Sequence, residues 1–258
     1  MDGLRAQPEA AGAEHLASEG AEERARVSVL KIAGMSVTVI TSPDTEENCY
    51  VMRAGDGEAL VVDPNFEPET AQAVADLGAE RALILLTHGH CDHICGIPQL
   101  QERFETRIVC TSGCASVLSA SDSSGYQMIV TMLEFEDARD GAHRSERFAA
   151  RYRSFGAQPD TVFDDELGLQ AGDLSLRLVR TPGHSPGSLC AVLNGAAVFT
   201  GDTVMGDRAP ILRFKRGSRR DFREVTLPIL QQLDPALTAL PGHGPVFKLA
   251  DGFKFFPK

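Results

Sequence analysis

The chain of 258 residues has no apolar stretch approaching the ~20 residues that a membrane-spanning helix needs. Its N-terminus also lacks the basic region followed by an apolar core that marks a secretory leader. The expectation is a soluble, cytoplasmic protein with no membrane partner. Positive charge is scarce: 25 Lys and Arg stand against 36 Asp and Glu, a formal net charge of −11. Affinity for nucleic-acid phosphates rests on cationic surface, so no nucleic-acid partner is expected. No Cys-x-x-Cys pair occurs among the six cysteines, Cys49, Cys91, Cys95, Cys110, Cys114 and Cys190. Most of them sit in apolar, strand-like stretches, so buried reduced thiols are expected in place of disulfides or zinc knuckles. Large apolar side chains are almost missing from residues 1–26, which carry six acids and three arginines. These residues are expected to form a disordered or loosely helical tail, and residues 27–258 one domain.

Histidine is concentrated where it is present. His88-Gly89-His90-Cys91-Asp92-His93 places three imidazoles and a carboxylate in six residues, directly after the apolar run Ala82–Leu86. With 7 histidines in the chain, chance placement of His-x-His-x-Asp-His has a probability on the order of one in a few thousand. An irregular turn leaving a strand can aim His88 and His90 one way and Asp92 and His93 another, so one loop can serve two metal ions. Cys91, inside this loop, reads as a spacer. Three further candidates follow strand-like segments. Leu174 to Arg180 alternates apolar and polar residues and runs into Thr181-Pro182-Gly183-His184. Leu189–Leu193 and Ala196–Thr200 flank Asn194-Gly195, a hairpin signal, and deliver Asp202. Pro235–Leu240 ends at Pro241-Gly242-His243-Gly244. Five of the seven histidines, with Asp92 and Asp202, thus fall at strand ends.

The remaining organisation is mixed α/β. Val27–Ile32, Met35–Ile40, Asn48–Arg53 and Ala59–Asp63 read as strands joined by turns. A helix opens at Glu67-Pro68-Glu69-Thr70, and a second over Gly96–Phe104 leads to a strand at Arg107–Cys110. Residues 115–160 break the alternation: Tyr126, Ile129, Met132 and Leu133 recur at helical spacing, as do Phe148, Tyr152 and Phe155. This helical insertion reads either as a lid or wall over the site, suited to an apolar acyl or ring-bearing substrate, or as ordinary packing or a dimer interface. Residues 213–224 hold six cations, Arg213, Lys215, Arg216, Arg219, Arg220 and Arg223, against Asp221 and Glu224. This strip reads either as a solvated helix face or as a handle for a carboxylate or for the phosphates of a carrier thiol.

Taken together, these motifs resemble the metallo-β-lactamase-fold superfamily, over residues 27 to about 250. The likeness includes Val61-Val62-Asp63, Thr87 before His88, the Pro-Gly-His-Ser run at 182–185, Phe199-Thr200-Gly201-Asp202 and Pro241-Gly242-His243-Gly244. The pattern looks most like the glyoxalase II-like and lactonase-like hydrolases. Secreted β-lactamases usually carry Cys at the Asp202-type position. The resemblance implies a four-layer αββα sandwich with the helical lid-like insertion. It also implies two divalent metal ions, Zn²⁺ first with Fe or Mn as alternatives. His88, His90 and His184 hold one, Asp92, His93 and His243 the other, and Asp202 bridges. Neutral imidazoles and carboxylates suit these metals. The activity implied is hydrolysis of a small-molecule thioester, ester or lactone by a hydroxide shared between the ions, with Asp92 returning a proton. Asp63 reads either as the acceptor of the outer ring proton of a ligand imidazole or as a turn residue before Pro64. A glyoxalase II carries a helical glutathione-binding region after the last His, whereas 15 residues follow His243. That shifts the expected substrates towards acyl-carrier or coenzyme A thioesters and lactones. Two alternatives stand beside this reading. One is a mononuclear non-haem iron oxygenase resembling the persulfide dioxygenases, using the His88, His184 and Asp202 positions. The other is a metal-containing small-molecule binding protein of signalling or biosynthesis with little turnover. The pattern fixes no oligomeric state.

Overall fold

The computed structural model describes residues 24–119 and 125–256. The tail expected over 1–26 lies outside them except for its last three positions, and Arg26 already opens the first strand. Four antiparallel neighbours begin the chain: β1 (Arg26–Ile32), β2 (Met35–Thr41), β3 (Asn48–Gly55) and β4 (Glu58–Val62). Ala33 and Gly34, both at positive φ, make the two-residue turn between β1 and β2 whose twist matches the strands. From β4 the sheet continues in parallel. Helix α1 (Pro68–Asp76) leads to β5 (Arg81–Leu85), and α2 (Cys91–Ile94) and α3 (Ile97–Arg103) lead to β6 (Glu105–Thr111).

The connection leaving β6 carries three helices, α4 (Ser112–Leu118), α5 (Tyr126–Asp140) and α6 (Arg144–Arg151), and returns as β7 (Thr161–Phe163), parallel to β6. The expected helical insertion is therefore the crossover of a parallel strand pair. It departs from expectation at both ends: α4 begins at Ser112 and packs with the outer helices, and residues 152–160 are not helical.

A second sheet of six strands has the order β13-β12-β11-β10-β9-β8. Its strands are β8 (Glu166–Ala171), β9 (Leu174–Arg180), β10 (Leu189–Leu193), β11 (Ala197–Gly201), β12 (Thr238–Pro241) and β13 (Phe247–Lys248). The β10–β11 turn uses Asn194 and Gly195 at positive φ. Leu193 pairs with Ala197, so Ala196 is one residue more than a two-residue loop holds. Between β11 and β12 run α7 (Arg219–Asp221), a π-helical turn (Phe222–Thr226) and α8 (Leu227–Leu230); α9 (Leu249–Gly252) follows β13.

Side-chain alternation fixes the layers. On β4 and β5, Leu60, Val62, Leu83 and Leu85 face the second sheet and meet Leu178, Leu189, Ala191 and Phe199. Ala59, Val61, Ala82 and Ile84 face the other way, onto α1, α3 and α4. Cys190 and Val198 on the second sheet's far side pack against Leu230, Leu233 and Leu249. The result is helices, sheet, sheet, helices: the αββα sandwich. Both faces of β4, β5 and β11 are covered, which is why those strands read as continuous apolar runs.

Leu60, fully buried between the sheets, and Val29, 59% exposed on edge strand β1, are expected to respond differently to truncation. Leu60→Ala should cost about 2–5 kcal/mol in denaturant unfolding. Val29→Thr should stay within about 0.5 kcal/mol; equal effects would contradict the assignment of the core.

Candidate metal centre

The seven residues singled out in the sequence come together at one edge of the sandwich, beyond the C-terminal ends of the strands. β5 supplies His88 to His93, β9 supplies His184, β11 supplies Asp202 and β12 supplies His243. Open α/β sheets gather their sites at such ends. His88 Nε2 lies 3.1 Å from His90 Nδ1, and His184 Nε2 lies 2.9 Å from the same atom. The single turn of α2 rotates Asp92 and His93 into a second group, in which His93 Nε2 stands 3.3 Å from His243 Nε2 and Asp92 Oδ2 3.4 Å from His243 Nε2. Asp202 sits between the groups, with Oδ2 3.4 Å from His184 Nε2 and 3.7 Å from His243 Nε2. Each group is a set of donor atoms close enough to hold one ion. Cys91 points away from both and packs with Ile129, Leu133 and Phe148, where burial pushes its thiol well above the ordinary range.

The outer nitrogens decide which ring atoms face inward. His184 Nδ1 lies 2.9 Å from the Ile211 carbonyl and His243 Nδ1 3.1 Å from the Thr45 carbonyl. A carbonyl only accepts, so both rings donate from Nδ1 and present a bare Nε2 inward. His93 Nδ1 donates to Asp63 Oδ2 at 3.0 Å. The Thr87 hydroxyl donates to Asp63 Oδ2 at 2.5 Å, which leaves its oxygen to accept from His88 Nδ1 at 3.1 Å. Asp63 also accepts from the Thr87 amide at 2.7 Å. One carboxylate thus orients two rings, as outer partners of metal ligands do.

This arrangement fits divalent cations. The inward ring nitrogens stand 2.9–3.3 Å from one another, the spacing of a donor set gathered around a cation. Asp92 Oδ1 and Asp202 Oδ1 are buried without a hydrogen-bond partner, a costly condition that coordination relieves. Two glycines keep the space open. A Cβ on Gly242 would come within 2.3 Å of Asp202 Oδ1 and 2.7 Å of His93 Cε1; one on Gly201, at φ 46°, would meet the Thr87 hydroxyl at 2.3 Å.

The two halves differ electrostatically. Burial, helped by the neighbouring rings, holds His88 and His184 below the usual imidazole range and takes His90 down to about 3. These three are ready to bind metal at neutral pH. Burial also acts to lower His93 and His243, but Asp92 and Asp202 beside both outweigh it and hold them up, and Asp63 adds to the effect at His93. Conversely, burial acts to raise Asp92 and Asp202, and the surrounding imidazoles outweigh it and keep both carboxyls ionised.

Several contributors carry no sequence signal. Glu47, fully buried, has Oε1 3.9 Å from His93 Nδ1 and takes a hydrogen bond from Asn65 Nδ2 at 2.8 Å; burial raises its carboxyl well above the ordinary range. It also pairs across an isolated bridge with His243. Phe214 stands edge-on to His90 and His184. Above the centre lies a cleft walled by Ile129, Met132 and Leu133 of α5 and by Met205, Ile211 and Phe214. The insertion therefore forms one wall. Helix α6 is clasped to the body by Arg147 Nε to buried Asp44 Oδ1 and Arg151 Nη2 to buried Glu67 Oε2, each at 2.7 Å.

Fold and site together define an αββα sandwich built around a His/Asp metal-binding cluster. The chain belongs to the metallo-beta-lactamase superfamily, whose family model matches residues 43–243. It is similar to the hydroxyacylglutathione hydrolase GloC of Haemophilus influenzae, with 24% identity over 213 residues, 81% of this chain and 91% of that protein. It is also similar to PksB of Bacillus subtilis, named a probable polyketide biosynthesis zinc-dependent hydrolase, with 23% identity over 197 residues, 76% of this chain and 72% of that protein. Among solved structures, TTHA1623 in a di-iron-bound form matches with a TM-score of 0.62 and 24% identity, covering 85% of this chain and 98% of that one. No helix among the described residues is long and apolar enough to cross a membrane.

Asp63→Ala is expected to weaken zinc binding about 10–100-fold in competition with a chelating dye; unchanged affinity would remove its orienting role. Because His93 and His243 are held up, protons compete with metal there to higher pH than at His88, His90 and His184. Acidifying the cobalt-loaded protein should therefore empty the Asp92–His93–His243 group first, seen as two steps in its visible spectrum. A single step would contradict the difference between the halves.

Proposed function

We propose that this protein is a dinuclear metal-dependent hydrolase of a small-molecule thioester, ester or lactone. His88, His90 and His184 would hold one ion and Asp92, His93 and His243 the other, with Asp202 within reach of both groups. The observation that carries this reading is the position of Asp202, with one oxygen within 3.7 Å of rings from both groups, at the foot of an apolar cleft. When bound, divalent ions there lower the pKa of water towards neutrality and stabilise negative charge growing on a carbonyl oxygen.

The chain's own groups supply the rest. The apolar walls, Ile129, Met132, Leu133 and Phe214 among them, hold an acyl chain and exclude bulk water. The ring donors to Thr45, Ile211, Asp63 and Thr87 fix the imidazoles, so little reorganisation accompanies reaction. Asp92, kept ionised by the surrounding imidazoles, is the group that takes a proton from the attacking water and returns it to the departing thiolate or alkoxide. Similarity to GloC and PksB, one named for a thioester and the other as a zinc-dependent hydrolase, supports the same class.

Protein purified without added metal is expected to carry about two equivalents of zinc or iron per chain. It should hydrolyse members of a panel of coenzyme A, glutathione and simple alkyl thioesters, esters and lactones. Asp92→Asn is expected to reduce kcat by about 10²–10⁴-fold. A single iron with oxygen uptake on a persulfide, and no hydrolysis, would overturn the proposal in favour of an oxygenase.

A further inference from the structure

The segment that follows Asp202 is fastened to the loop carrying His184 by three hydrogen bonds. The Ile211 carbonyl accepts from His184 Nδ1 at 2.9 Å, the Ser218 amide donates to the Gly183 carbonyl at 2.8 Å, and the Thr226 hydroxyl donates to the Pro182 carbonyl at 2.5 Å. Phe222 closes over Gly183, where an added Cβ would meet its Cβ at 2.6 Å. Residues 211–226 are thereby held in register with the metal cluster. Within them Phe214 enters the cleft, its ring centroid 5.4 Å from His184 and 5.6 Å from His90.

The residues flanking Phe214 are cations. Arg213, Lys215 and Arg216 are exposed, and Arg219 and Arg223 continue the strip along the following helical turns. None of these five makes an ion pair among the described residues, whereas neighbouring Arg208 and Arg220 are paired with Asp207 and Glu224. Arg216 reaches only the Ser116 hydroxyl, at 3.4 Å. It holds φ 75°, a conformation that favours glycine, in a turn closed by the Gly217 amide on the Phe214 carbonyl at 2.8 Å. Of the acids lining the cleft, Glu46 and Glu136 belong to other walls, the β2–β3 loop and α5, and Asp92 and Asp202 lie at its foot; Arg208 is the cation in the lining. The five cations flank Phe214 just outside that lining, an unpaired positive strip in a chain of net charge −11.

We infer that the strip Arg213, Lys215, Arg216, Arg219 and Arg223 binds the phosphate of a phosphopantetheine thiol, whose thioester reaches the metal cluster past Phe214 while its acyl chain fills the apolar cleft. This rests on the hydrolase reading and narrows its substrate class. The phosphates of coenzyme A, several negative charges close together, suit a strip of several unpaired guanidinium groups. A glutathione thiol, with two carboxylates and one ammonium, offers only one net negative charge. Phosphopantetheine occurs on coenzyme A, where its phosphate is part of a diphosphate beside a further phosphate, and on carrier proteins, where it is a phosphodiester with a single negative charge; coenzyme A is therefore the better match to the strip.

The test compares one acyl group on three thiols: coenzyme A, a phosphopantetheinyl carrier protein, and pantetheine without phosphate. The expected result is a kcat/KM at least about tenfold higher for one or both phosphorylated thiols than for pantetheine, the size that several partly exposed ion pairs supply together. The preference should shrink as ionic strength rises. Which phosphorylated thiol is favoured identifies the source. Replacing all five cations with Gln should bring the ratio close to one. If that variant does not fold, Arg213→Gln, Lys215→Gln, Arg216→Gln serves with the same expectation. Binding of desulfo-coenzyme A, which has no thiol to ligate metal, gives a readout independent of turnover. Binding that is lost in the variants supports the site even if no thioester is hydrolysed, an outcome that rejects only the hydrolase reading. Equal kcat/KM on phosphorylated and unphosphorylated thiols, or a preference that survives all substitutions, overturns the inference.

Discussion

Five imidazoles turned toward one another inside a protein hold that arrangement only if their surroundings fix them, and the rest of this structure is arranged to keep them there. Four of the five rings are pinned from behind, by Thr87, Asp63, Ile211 and Thr45, so that none can turn its lone pair outward. The pinning groups are themselves fixed by the fold. Thr87 and Asp63 terminate adjacent parallel strands, and Ile211 belongs to the segment bonded to the His184 loop. Thr45 lies in the loop that also pairs Glu47 with His243. The close approaches at Gly201 and Gly242 then leave room for nothing larger than hydrogen behind the carboxylate of Asp202 and the Thr87 hydroxyl.

Sequence made much of this visible, for physical reasons. Strands β4, β5, β9, β10 and β11 are long enough, and buried enough, to show alternation or continuous apolar runs. The ligands follow them within a few residues, so placing a strand places a ligand. What stayed hidden depends on contacts distant in the chain. Glu47 is a buried acid in a turn, and its place beside His93 comes from sheet pairing rather than from any neighbour in sequence. The carbonyls of Thr45 and Ile211 are backbone atoms and leave no trace in residue type. Strands β7 and β8 were not legible: β7 is three residues long, and β8 shows Gly168 and exposed polar residues at a sheet edge. The extra residue at Ala196 escaped because Asn-Gly signals a turn but does not fix the register around it.

The insertion illustrates how a wall is attached to a site without joining it. Its residues face the cleft through Ile129, Met132 and Leu133, and its anchorage runs the other way. Stacked Tyr126, Phe148 and Tyr152 join α5 to α6, and Arg147 and Arg151 bind buried Asp44 and Glu67. Asp44 and Thr45 are neighbours, so the loop that grips α6 is also the one that orients His243. Each pair joins a buried carboxylate to a partly exposed guanidinium, which fixes the position of α6 more than it adds stability.

The donor groups are drawn from both halves of the sandwich. His88, His90, Asp92 and His93 extend from the first sheet, whereas His184, Asp202 and His243 extend from the second. A cation shared by them acts as a rivet through two plates that are otherwise joined by hydrocarbon contact. By linkage, the free energy with which the folded chain binds metal is also free energy opposing separation of the plates at that edge. Affinity for the ion and cohesion of the architecture are, in this molecule, one quantity seen from two sides.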